Sequence, residues 1–273
     1  MVETGRSSYR TILISGAAGG LGSILVKKFS EQGDHVIALD ISAEGLENLS
    51  NTDNVTTKVL DITSAIQVSD FIKEIDLDHK GLDILICLAG IYDTYPVTEA
   101  NPDFFKKIMA VNLLGTAILV QGFLKPLIKN KGRVIVVSSE SYKIQAMFQP
   151  YMISKASLEA YCRVARQELA LKGVKLAVIR PGAIRTPLLN WMESSVNPLD
   201  YPVFSREFIK SRNRSVKMVG RIATPGQVAG KILTSATVSN PKRIYRINNN
   251  PLLTLISLMP ANIFDWLVLR IMK

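Results

Sequence analysis

The amino-acid sequence predicts an α/β protein: a doubly wound parallel sheet of about seven strands with helices on both faces, forming one domain over residues 1–273. Three observations support this prediction. Short apolar segments alternate with segments of helical periodicity, as expected for parallel strands joined by helical crossovers. A glycine-rich turn follows the first apolar segment, and an aspartate closes the second. The content of 47% hydrophobic and 21% charged residues is typical of a globular chain.

Strands are expected where short apolar segments are bounded by turn residues, and helices where apolar residues recur at helical spacing. Gly33 and Gly173 end two helices, and Pro102 suits the first turn of another. The predicted strands are residues 9–15, 35–39, 55–60, 82–88, 133–137, 175–179 and 243–247. The predicted helices are residues 21–32, 43–49, 65–75, 101–129, 151–172, 184–192, 204–218 and 225–237.

Two segments depart from this alternation. Residues 184–224 are expected to form a substrate-loop insertion, and residues 251–273 form an apolar C-terminal tail. The tail has no charge from Pro251 to Phe264, but Pro260 interrupts it, and 14 such residues are too few to span a bilayer. We expect the tail to cap the core, to line a substrate pocket or to lie on a membrane surface.

The net charge of +10 is concentrated in one part of the chain. Residues 205–246 contain ten Lys or Arg residues and a single acid, Glu207. Three interpretations remain open: contact with anionic lipids, binding of an anionic substrate such as an acyl-CoA, or a solvated basic lid. No nucleic-acid binding is expected, because no known binding module accompanies the charge.

The cysteine content and the N-terminal residues bear on the compartment. Cys87 and Cys162 lie in apolar segments and provide neither a disulfide framework nor metal-ligand spacing. Residues 1–10 are polar and lack the apolar run of a signal peptide. We therefore expect a cytoplasmic protein without a metal, with peripheral contact to a membrane as one use of the tail.

The glycine turn lies where a Rossmann-type dinucleotide-binding motif belongs, between a strand and a helix. Glycines allow a tight turn and a close approach to a pyrophosphate at the helix N-terminus. Asp40, at the end of the second strand, is placed to accept hydrogen bonds from ribose hydroxyls and to repel a 2′-phosphate. NAD is therefore favoured over NADP. The cofactor-binding residues expected here are Gly16, Gly19, Gly20, Leu21, Gly22, Asp40 and the adjacent Ile41.

Tyr151 and Lys155 form a second candidate site at the start of a long helix. Residues four apart lie on one helix face, so the Lys155 ammonium is expected beside the Tyr151 phenol. A nearby cation favours the phenolate and would lower the pKa of Tyr151. The pair is thus predicted to move a proton to or from a substrate oxygen.

These motifs, in this order, resemble those of the short-chain dehydrogenase/reductase superfamily in its single-domain form. The resemblance reaches from the glycine turn to about Arg246. It implies cofactor contacts at positions along the carboxyl ends of the strands, and a catalytic set in the middle of the chain. The additional cofactor residues implied are Asp61, Ile62, Ala89, Gly90, Asn112, Tyr151, Lys155, Pro181, Gly182, Ile184 and Thr186. The implied catalytic residues are Asn112, Ser139, Tyr151 and Lys155.

The resemblance also implies roles for these residues. Tyr151 would exchange the proton of a substrate hydroxyl while a hydride moves to or from NAD. Lys155 would lower the pKa of Tyr151 and hold the nicotinamide ribose, and Ser139 would bind the substrate oxygen. Asn112 would kink its helix and anchor a water molecule. Thr186 would hold the carboxamide of the nicotinamide. Ser138 is the alternative to Ser139, with 13 rather than 12 residues to Tyr151; the motif favours Ser139, with Ser138 structural.

The sequence departs from the family pattern at Cys87 and Leu88, which replace two asparagines, so altered local hydrogen bonding is expected there. The tail is similar to that of retinol- and hydroxysteroid-type members, which implies a lipophilic small-molecule substrate. In the family, the helices that correspond to residues 101–129 and 151–172 often form a subunit interface. The resemblance therefore implies a homo-oligomer, either a dimer or a tetramer. The expected pocket residues are Tyr92, Ser141, Tyr142, Met147, Leu188, Trp191 and Met192.

The function favoured by the sequence is NAD-dependent interconversion of a secondary alcohol and a ketone. A reductase of 3-oxoacyl thioesters and a non-catalytic NAD-sensing protein are the alternatives.

Overall fold

The computed structural model describes residues 9–75, 77–144, 146–186, 197–217 and 222–272. Its centre is a seven-stranded sheet in the order β3-β2-β1-β4-β5-β6-β7, in which every neighbouring pair is parallel. The predicted doubly wound sheet is therefore confirmed. The strands are β1 (Thr11–Ser15), β2 (His35–Asp40), β3 (Val55–Val59), β4 (Ile84–Cys87), β5 (Arg133–Val137), β6 (Lys175–Pro181) and β7 (Ile244–Ile247).

The helices of the described chain connect these strands and cover both faces of the sheet. They are α1 (Gly22–Ser30), α2 (Ala43–Ser50), α3 (Ala65–Glu74), α4 (Leu77–Lys80), α5 (Pro102–Met109), α6 (Thr116–Gly122), α7 (Leu124–Asn130), α8 (Pro150–Ala170), α9 (Ser205–Lys217), α10 (Pro225–Thr237), α11 (Pro251–Ile256) and α12 (Ala261–Met272). Most predicted boundaries lie within two residues of these.

The predicted helix 101–129 is divided. A π-helical segment, Ala110–Gly115, separates α5 from α6, and the chain breaks again at Phe123 before α7. Pro126 explains the second break, because proline has no N–H to donate to the preceding turn and its ring clashes with that turn. The π segment carries an extra residue in one turn, a feature frequent at functional sites.

The prediction of a helix over residues 184–192 was wrong at its start. Ile184 forms an isolated parallel bridge with Ala223, and Arg185 donates its backbone N–H to the Ala223 carbonyl at 3.0 Å. The extended backbone there continues the direction of β6. The rest of that prediction falls in residues 187–196, outside the described chain.

The two faces of the sheet bury separate apolar clusters, because successive strand side chains point to opposite sides. On one face Leu13 and Leu85 pack with Phe71 of α3 and Leu158 of α8. On the other, Ile12 and Ile14 pack with Phe29 of α1 and Ile232 of α10, among others. Cys162, in the first cluster, is a packing residue as predicted.

A third cluster joins the insertion to the rest of the chain. Phe208 of α9 packs with Tyr95, Phe148 and Tyr201, and Met272 of α12 is packed against this group. Lys210 and Arg214 of α9 donate to the last carbonyls of α12, those of Met272 and Ile271 respectively. Cations at a helix C-terminus complement the helix dipole, so two of the basic residues of the insertion secure the tail.

Within the described residues, no single helix is both long enough and apolar enough to cross a membrane. The bent pair Pro102–Gly122 and Leu124–Asn130, with 56° between its two parts, meets the criteria of length and composition only when taken together.

Candidate active site

A cavity of about 490 Å³ opens at the carboxyl ends of the strands, where ligands bind in sheets of this type. The glycine turn after β1, the ends of β5 and β6, and the start of α8 form its walls. The insertion contributes Ser211 of α9 and the tail contributes Leu253 of α11. The cavity therefore joins the predicted cofactor segment and the predicted catalytic segment in one space.

The glycine turn is packed too closely for side chains at two positions. Gly16 has φ +73°, and a Cβ there would lie 2.7 Å from the Ala89 nitrogen. A Cβ at Gly22 would lie 2.2 Å from the Gly16 carbonyl oxygen. No side chain caps the N-terminus of α1 at Leu21. The turn and the uncapped helix end, which face the cavity with Gly19 and Gly20, fit a dinucleotide pyrophosphate.

Asp40 lies against this turn. Its Oδ2 accepts a hydrogen bond from the Ala18 N–H at 3.0 Å, and its Oδ1 accepts one from the Ser42 N–H at 3.0 Å. Each carboxylate oxygen keeps lone-pair capacity for a ribose hydroxyl. The adjacent Ile41 is 70% exposed, and neither residue lines the cavity itself.

Asp61 and Ile62 follow β3 and also lie outside the cavity wall. Asp61 Oδ1 accepts hydrogen bonds from the Thr63 N–H at 2.9 Å and the Thr63 hydroxyl at 2.8 Å. Ile62 is buried against Gly115, where a Cβ would lie 2.5 Å from the Ile62 Cδ1 atom. Asp61 therefore stabilises the turn after β3, and Ile62 packs against the π-helical segment.

Ala89 and Gly90 connect β4 to the catalytic segment. Ala89 packs on Gly16, and Gly90 lies beside Asn112 and Lys155, since a Cβ there would be 3.2 Å from Asn112 Oδ1 and 3.6 Å from Lys155 Nζ. Leu88 lines the cavity in place of a polar side chain. The nearby Ser15 hydroxyl is buried and has no partner in the described chain, in keeping with the altered hydrogen bonding expected at this strand end.

Asn112 sits in the π segment and is 1% exposed. Its Oδ1 accepts from the Ile91 N–H at 2.8 Å, and its Nδ2 donates to the Ile91 carbonyl and to the Ser154 hydroxyl, both at 2.9 Å. The Ser154 hydroxyl donates in turn to the Tyr151 carbonyl at 2.7 Å. Asn112 thus ties the loop after β4 to the first turn of α8.

Tyr151 and Ser139 meet at the cavity. The Ser139 side chain lies close enough to the Tyr151 phenol to act on its pKa, and the Tyr92 ring packs 4.9 Å from the Tyr151 ring between centroids. Burial raises the pKa of Tyr151 to about 12, and the neighbouring Ser139 side chain acts in the opposite direction. The phenol therefore carries its proton at neutral pH.

Lys155 is 5% exposed, and its Nζ donates to the Val137 carbonyl at 3.1 Å. The ammonium lies 5.6 Å from the centroid of the Tyr151 ring. Burial lowers the pKa of Lys155 to about 8, with Cys162 and Glu159 acting in the opposite direction. The predicted lowering of the Tyr151 pKa by this cation is not confirmed for the protein alone, because burial raises that pKa and Lys155 is not among the groups that act on it.

The two serines at the end of β5 differ in environment. Ser138 is 3% exposed, and its hydroxyl has no partner among the described residues. Ser139 begins the 3₁₀ turn Glu140–Lys143, and its Oγ accepts from the Ser141 N–H at 3.3 Å and lies 2.9 Å from the Ser141 hydroxyl. Its contact with Tyr151 favours Ser139 as the catalytic candidate.

The segment after β6 faces the cavity through Pro181, Gly182, Ile184 and Thr186. Gly182 donates its N–H to the Ile247 carbonyl at 2.9 Å, and the Ile184 bridge fixes the direction of the chain beyond it. The predicted nicotinamide segment therefore lies opposite the start of α8, across the cavity.

Three of the predicted pocket residues, Tyr92, Ser141 and Met147, line the cavity. Tyr142 does not, and instead stacks on Arg180. Leu188, Trp191 and Met192 lie outside the described residues. Sequence reasoning missed Glu140, Gln149 and Ser211, for which no motif exists, whereas Leu253 belongs to the tail that was expected to line a pocket.

A parallel sheet with a glycine turn, an aspartate packed against that turn, and Ser139, Tyr151 and Lys155 at one cavity defines a dinucleotide-binding α/β protein. Residues 10–196 match the family described as short chain dehydrogenase, and the chain belongs to this family. The resemblance predicted from the motifs is therefore confirmed.

Curated relatives share about a third of their aligned residues with the chain. Mouse (Mus musculus) retinol dehydrogenase 7 is 32% identical over 186 residues, 66% of this chain and 58% of the relative. Rat (Rattus norvegicus) estradiol 17-beta-dehydrogenase 2 is 31% identical over 229 residues, 79% of this chain and 59% of the relative. The 3-oxoacyl-(acyl-carrier-protein) reductase of Rickettsia bellii is 32% identical over 66% of this chain and 75% of the relative. The chain thus spans about three fifths of the first two.

Solved structures agree with the fold. A short-chain dehydrogenase from Streptomyces avermitilis superposes with a TM-score of 0.78 at 20% identity, covering 97% of this chain and 98% of the other. A 4-hydroxyisoleucine dehydrogenase complexed with NADH gives 0.71 at 26% identity, with coverages of 88% and 97%. ElxO with NADP bound gives 0.69 at 25% identity, with coverages of 88% and 96%.

Proposed function

We propose that the protein is an NAD-dependent oxidoreductase that interconverts a secondary alcohol and a ketone on a lipophilic substrate. The observation that carries the proposal is that Ser139, Tyr151 and Lys155 line the same cavity as the glycine turn. Sequence similarity to retinol and estradiol dehydrogenases supports the class of substrate.

A bound nicotinamide dinucleotide supplies the hydride-transfer chemistry. Because the pKa of Tyr151 is about 12, its phenol donates a proton to the carbonyl oxygen of a ketone, and in the reverse direction it receives one. Ser139 hydrogen-bonds the same oxygen. Lys155, whose pKa of about 8 leaves it largely charged at neutral pH, holds the nicotinamide ribose and offsets charge on Tyr151. Asn112 fixes the start of α8, and Thr186 holds the carboxamide.

The apolar character of the cavity supports a lipophilic substrate. Tyr92, Ile144, Met147, Met152 and Leu253 contribute to its wall. The tail therefore supplies an apolar contact directly to the proposed substrate space. A steroid, a retinoid or a fatty-acyl chain fits this chemistry.

For the cofactor, we expect tighter binding of NADH than of NADPH, by about tenfold or more, because Asp40 would repel a 2′-phosphate. Replacing Asp40 with Ser is expected to weaken NADH binding and to reduce or reverse the preference for NADH over NADPH. The matched control is Asp70→Asn, which removes an acid on the exposed face of α3. Dissociation constants from NAD(P)H fluorescence measure the effect; equal affinities in the wild-type protein would contradict the assignment.

Two other functions make different predictions. A 3-oxoacyl-thioester reductase, favoured by the Rickettsia relative, would reduce an acetoacetyl thioester faster than any steroid or retinoid ketone. A non-catalytic sensor would bind NADH and turn over neither. A panel of secondary alcohols, ketones and one 3-oxoacyl thioester, followed at 340 nm with NADH and NADPH, separates the three.

We further propose that the tail rests on a membrane surface. Helices α11 and α12 and the turn between them expose large apolar side chains in one short segment, including Leu255 at 62%, Leu258 at 71% and Trp266 at 56%. Asp265 is the only acid among residues 251–272. Arg270 lies 5.2 Å over the Trp266 ring, and α9 adds further cations, an arrangement suited to an anionic interface.

Membrane contact predicts cosedimentation with vesicles that contain phosphatidylserine, and weaker binding to neutral vesicles. The triple variant Leu255→Ser, Leu258→Ser, Trp266→Ser is expected to lose most of this binding, because the buried apolar area falls. The control Ile66→Ser, Leu171→Ser removes apolar side chains outside the tail that are even more exposed, at 75% and 85%. Equal vesicle binding by the triple variant and the control would contradict the proposal.

We also propose a homo-oligomer built on α5, α6 and α8. These helices expose Phe104, at 49%, and Val164, at 56%, outside the core. Sedimentation equilibrium is expected to give twice or four times the chain mass of 30.1 kDa. The substitutions Phe104→Ser and Val164→Ser should shift the protein toward monomer, and a wild-type monomer at all concentrations would contradict this proposal.

A further inference from the structure

We propose that Tyr142, Arg180 and Glu159 form a positioning stack that holds Ser139 against Tyr151. None of the three belongs to the catalytic set described above, and the inference rests on the proposed function. The stack connects three elements that meet at the cavity: the 3₁₀ turn Glu140–Lys143, the end of β6 and the middle of α8.

The first contact joins β6 to α8. Arg180 donates from Nε to Glu159 Oε1 at 2.8 Å and from Nη2 to Glu159 Oε2 at 2.7 Å. Both side chains are buried, with 7% and 9% of each residue exposed. A planar guanidinium held at two points has little rotational freedom, so this pair fixes the orientation of the Arg180 plane.

The second contact joins β6 to the 3₁₀ turn. The Arg180 guanidinium carbon lies 4.2 Å from the centroid of the Tyr142 ring, within the range of a cation–π contact. Because Glu159 holds the guanidinium, the Tyr142 ring rests on a fixed surface. Tyr142 follows Ser139 by three residues within the same short turn.

The 3₁₀ turn also packs against α8. Its described backbone bonds are local, as in the Ile144 N–H donation to the Ser141 carbonyl at 2.9 Å. One further contact comes from outside, where Glu140 Oε2 accepts from the Asn250 N–H at 2.6 Å at the start of the tail. Tyr142 and Glu140 are thus two anchors that set where the Ser139 hydroxyl lies.

The opposite end of the stack lies on the catalytic helix. Tyr151, Lys155 and Glu159 are spaced four residues apart and therefore lie on nearly the same face of α8. Glu159 and Cys162 of α8 act electrostatically on Lys155, and Arg180 of β6 neutralises Glu159. The stack therefore connects the turn that follows Ser139 to the helix that carries Tyr151 and Lys155. None of its three residues lines the cavity.

The test compares Tyr142→Leu, which removes the aromatic face, with Tyr142→Phe, which keeps it. A displacement of a catalytic group by less than 1 Å already lowers turnover strongly, so Tyr142→Leu is expected to lower kcat about tenfold or more. Tyr142→Phe should stay within about twofold of wild type, and both variants should bind NADH as wild type does, since the stack does not touch the glycine turn. Glu159→Gln should reproduce the loss of kcat.

Asp34→Asn is the matched control. Asp34 is a buried carboxylate that pairs with Arg10, and Arg10 lies 5.9 Å over the Phe29 ring, at the sheet end away from the cavity. This variant should lower the stability while leaving kcat unchanged. Equal kcat for Tyr142→Leu and Tyr142→Phe, or a kcat loss in Asp34→Asn matching that in Glu159→Gln, overturns the stack.

A second measurement does not depend on turnover. In protein labelled with ring-¹³C tyrosine, the Tyr151 resonance, assigned with Tyr151→Phe, reports the surroundings of the phenol, to which Ser139 contributes. Tyr142→Leu is expected to move this resonance and Tyr142→Phe to leave it in place. An unmoved resonance in Tyr142→Leu overturns the stack. An inactive wild-type protein with a moved resonance would instead contradict the proposed function alone.

Discussion

Replacing Tyr151 with Phe is expected to lower turnover by about a thousandfold, within the 10²–10⁴ range that a positioned acid–base group contributes. The substitution removes only the phenol hydroxyl, so the ring contact with Tyr92 and the cavity wall persist. NADH affinity should change by less than about threefold, because the glycine turn and Asp40 are untouched. Enzyme assays measure the change in kcat, and NADH titrations separately measure the change in cofactor affinity.

Tyr161→Phe is the matched control, since it makes the same change on the same helix. Tyr161 packs against the core on the α8 face and does not line the cavity. Its turnover should stay within about twofold of wild type. Near wild-type activity of Tyr151→Phe on a genuine substrate would show that the proton comes from another group.

Replacing Gly16 with Ala is expected to abolish dinucleotide binding and to destabilise the protein. Two penalties combine: a left-handed backbone conformation costs a residue with a Cβ about 1–2 kcal/mol, and overpacking adds about 1–3 kcal/mol. The second penalty arises because the new Cβ would lie 2.7 Å from the Ala89 nitrogen, which belongs to the backbone and cannot rotate away. Chemical denaturation and NADH titration measure the outcome.

Gly33→Ala separates the two penalties. Gly33 has φ +81°, close to that of Gly16, but a Cβ there would meet nothing within 4 Å. It should cost only the backbone term of about 1–2 kcal/mol and leave NADH binding intact. If Gly16→Ala behaved like Gly33→Ala in both measurements, the close approach of the turn to Ala89 would be unimportant for the cofactor.

Features encoded locally were predictable from the sequence. The seven strands follow from apolar segments bounded by turn residues, and the doubly wound parallel sheet follows from right-handed crossovers. Gly16 and Asp40 could be placed because each lies at a strand end, and Gly22 because it begins the helix after the glycine turn. Tyr151 and Lys155 could be placed because their spacing matches one helical turn.

Features that depend on distant parts of the chain were not predictable in the same way. Arg180 and Glu159 lie 21 residues apart, and their pairing requires the register of β6 against α8. Leu253 reaches the cavity only because the tail folds back over the insertion. The pKa of Tyr151 depends on desolvation, which residue spacing does not reveal. The spacing of Tyr151 and Lys155 alone therefore does not predict that this pKa is raised.

The proposed oxidoreductase activity is tested by the rate at which the wild-type protein oxidises NADH with a panel of lipophilic ketones, including a steroid ketone. Turnover should lie well above the rate without ketone, be faster with NADH than with NADPH, and be lost in Tyr151→Phe. Tight NADH binding with no turnover of any ketone or secondary alcohol in the panel would contradict it.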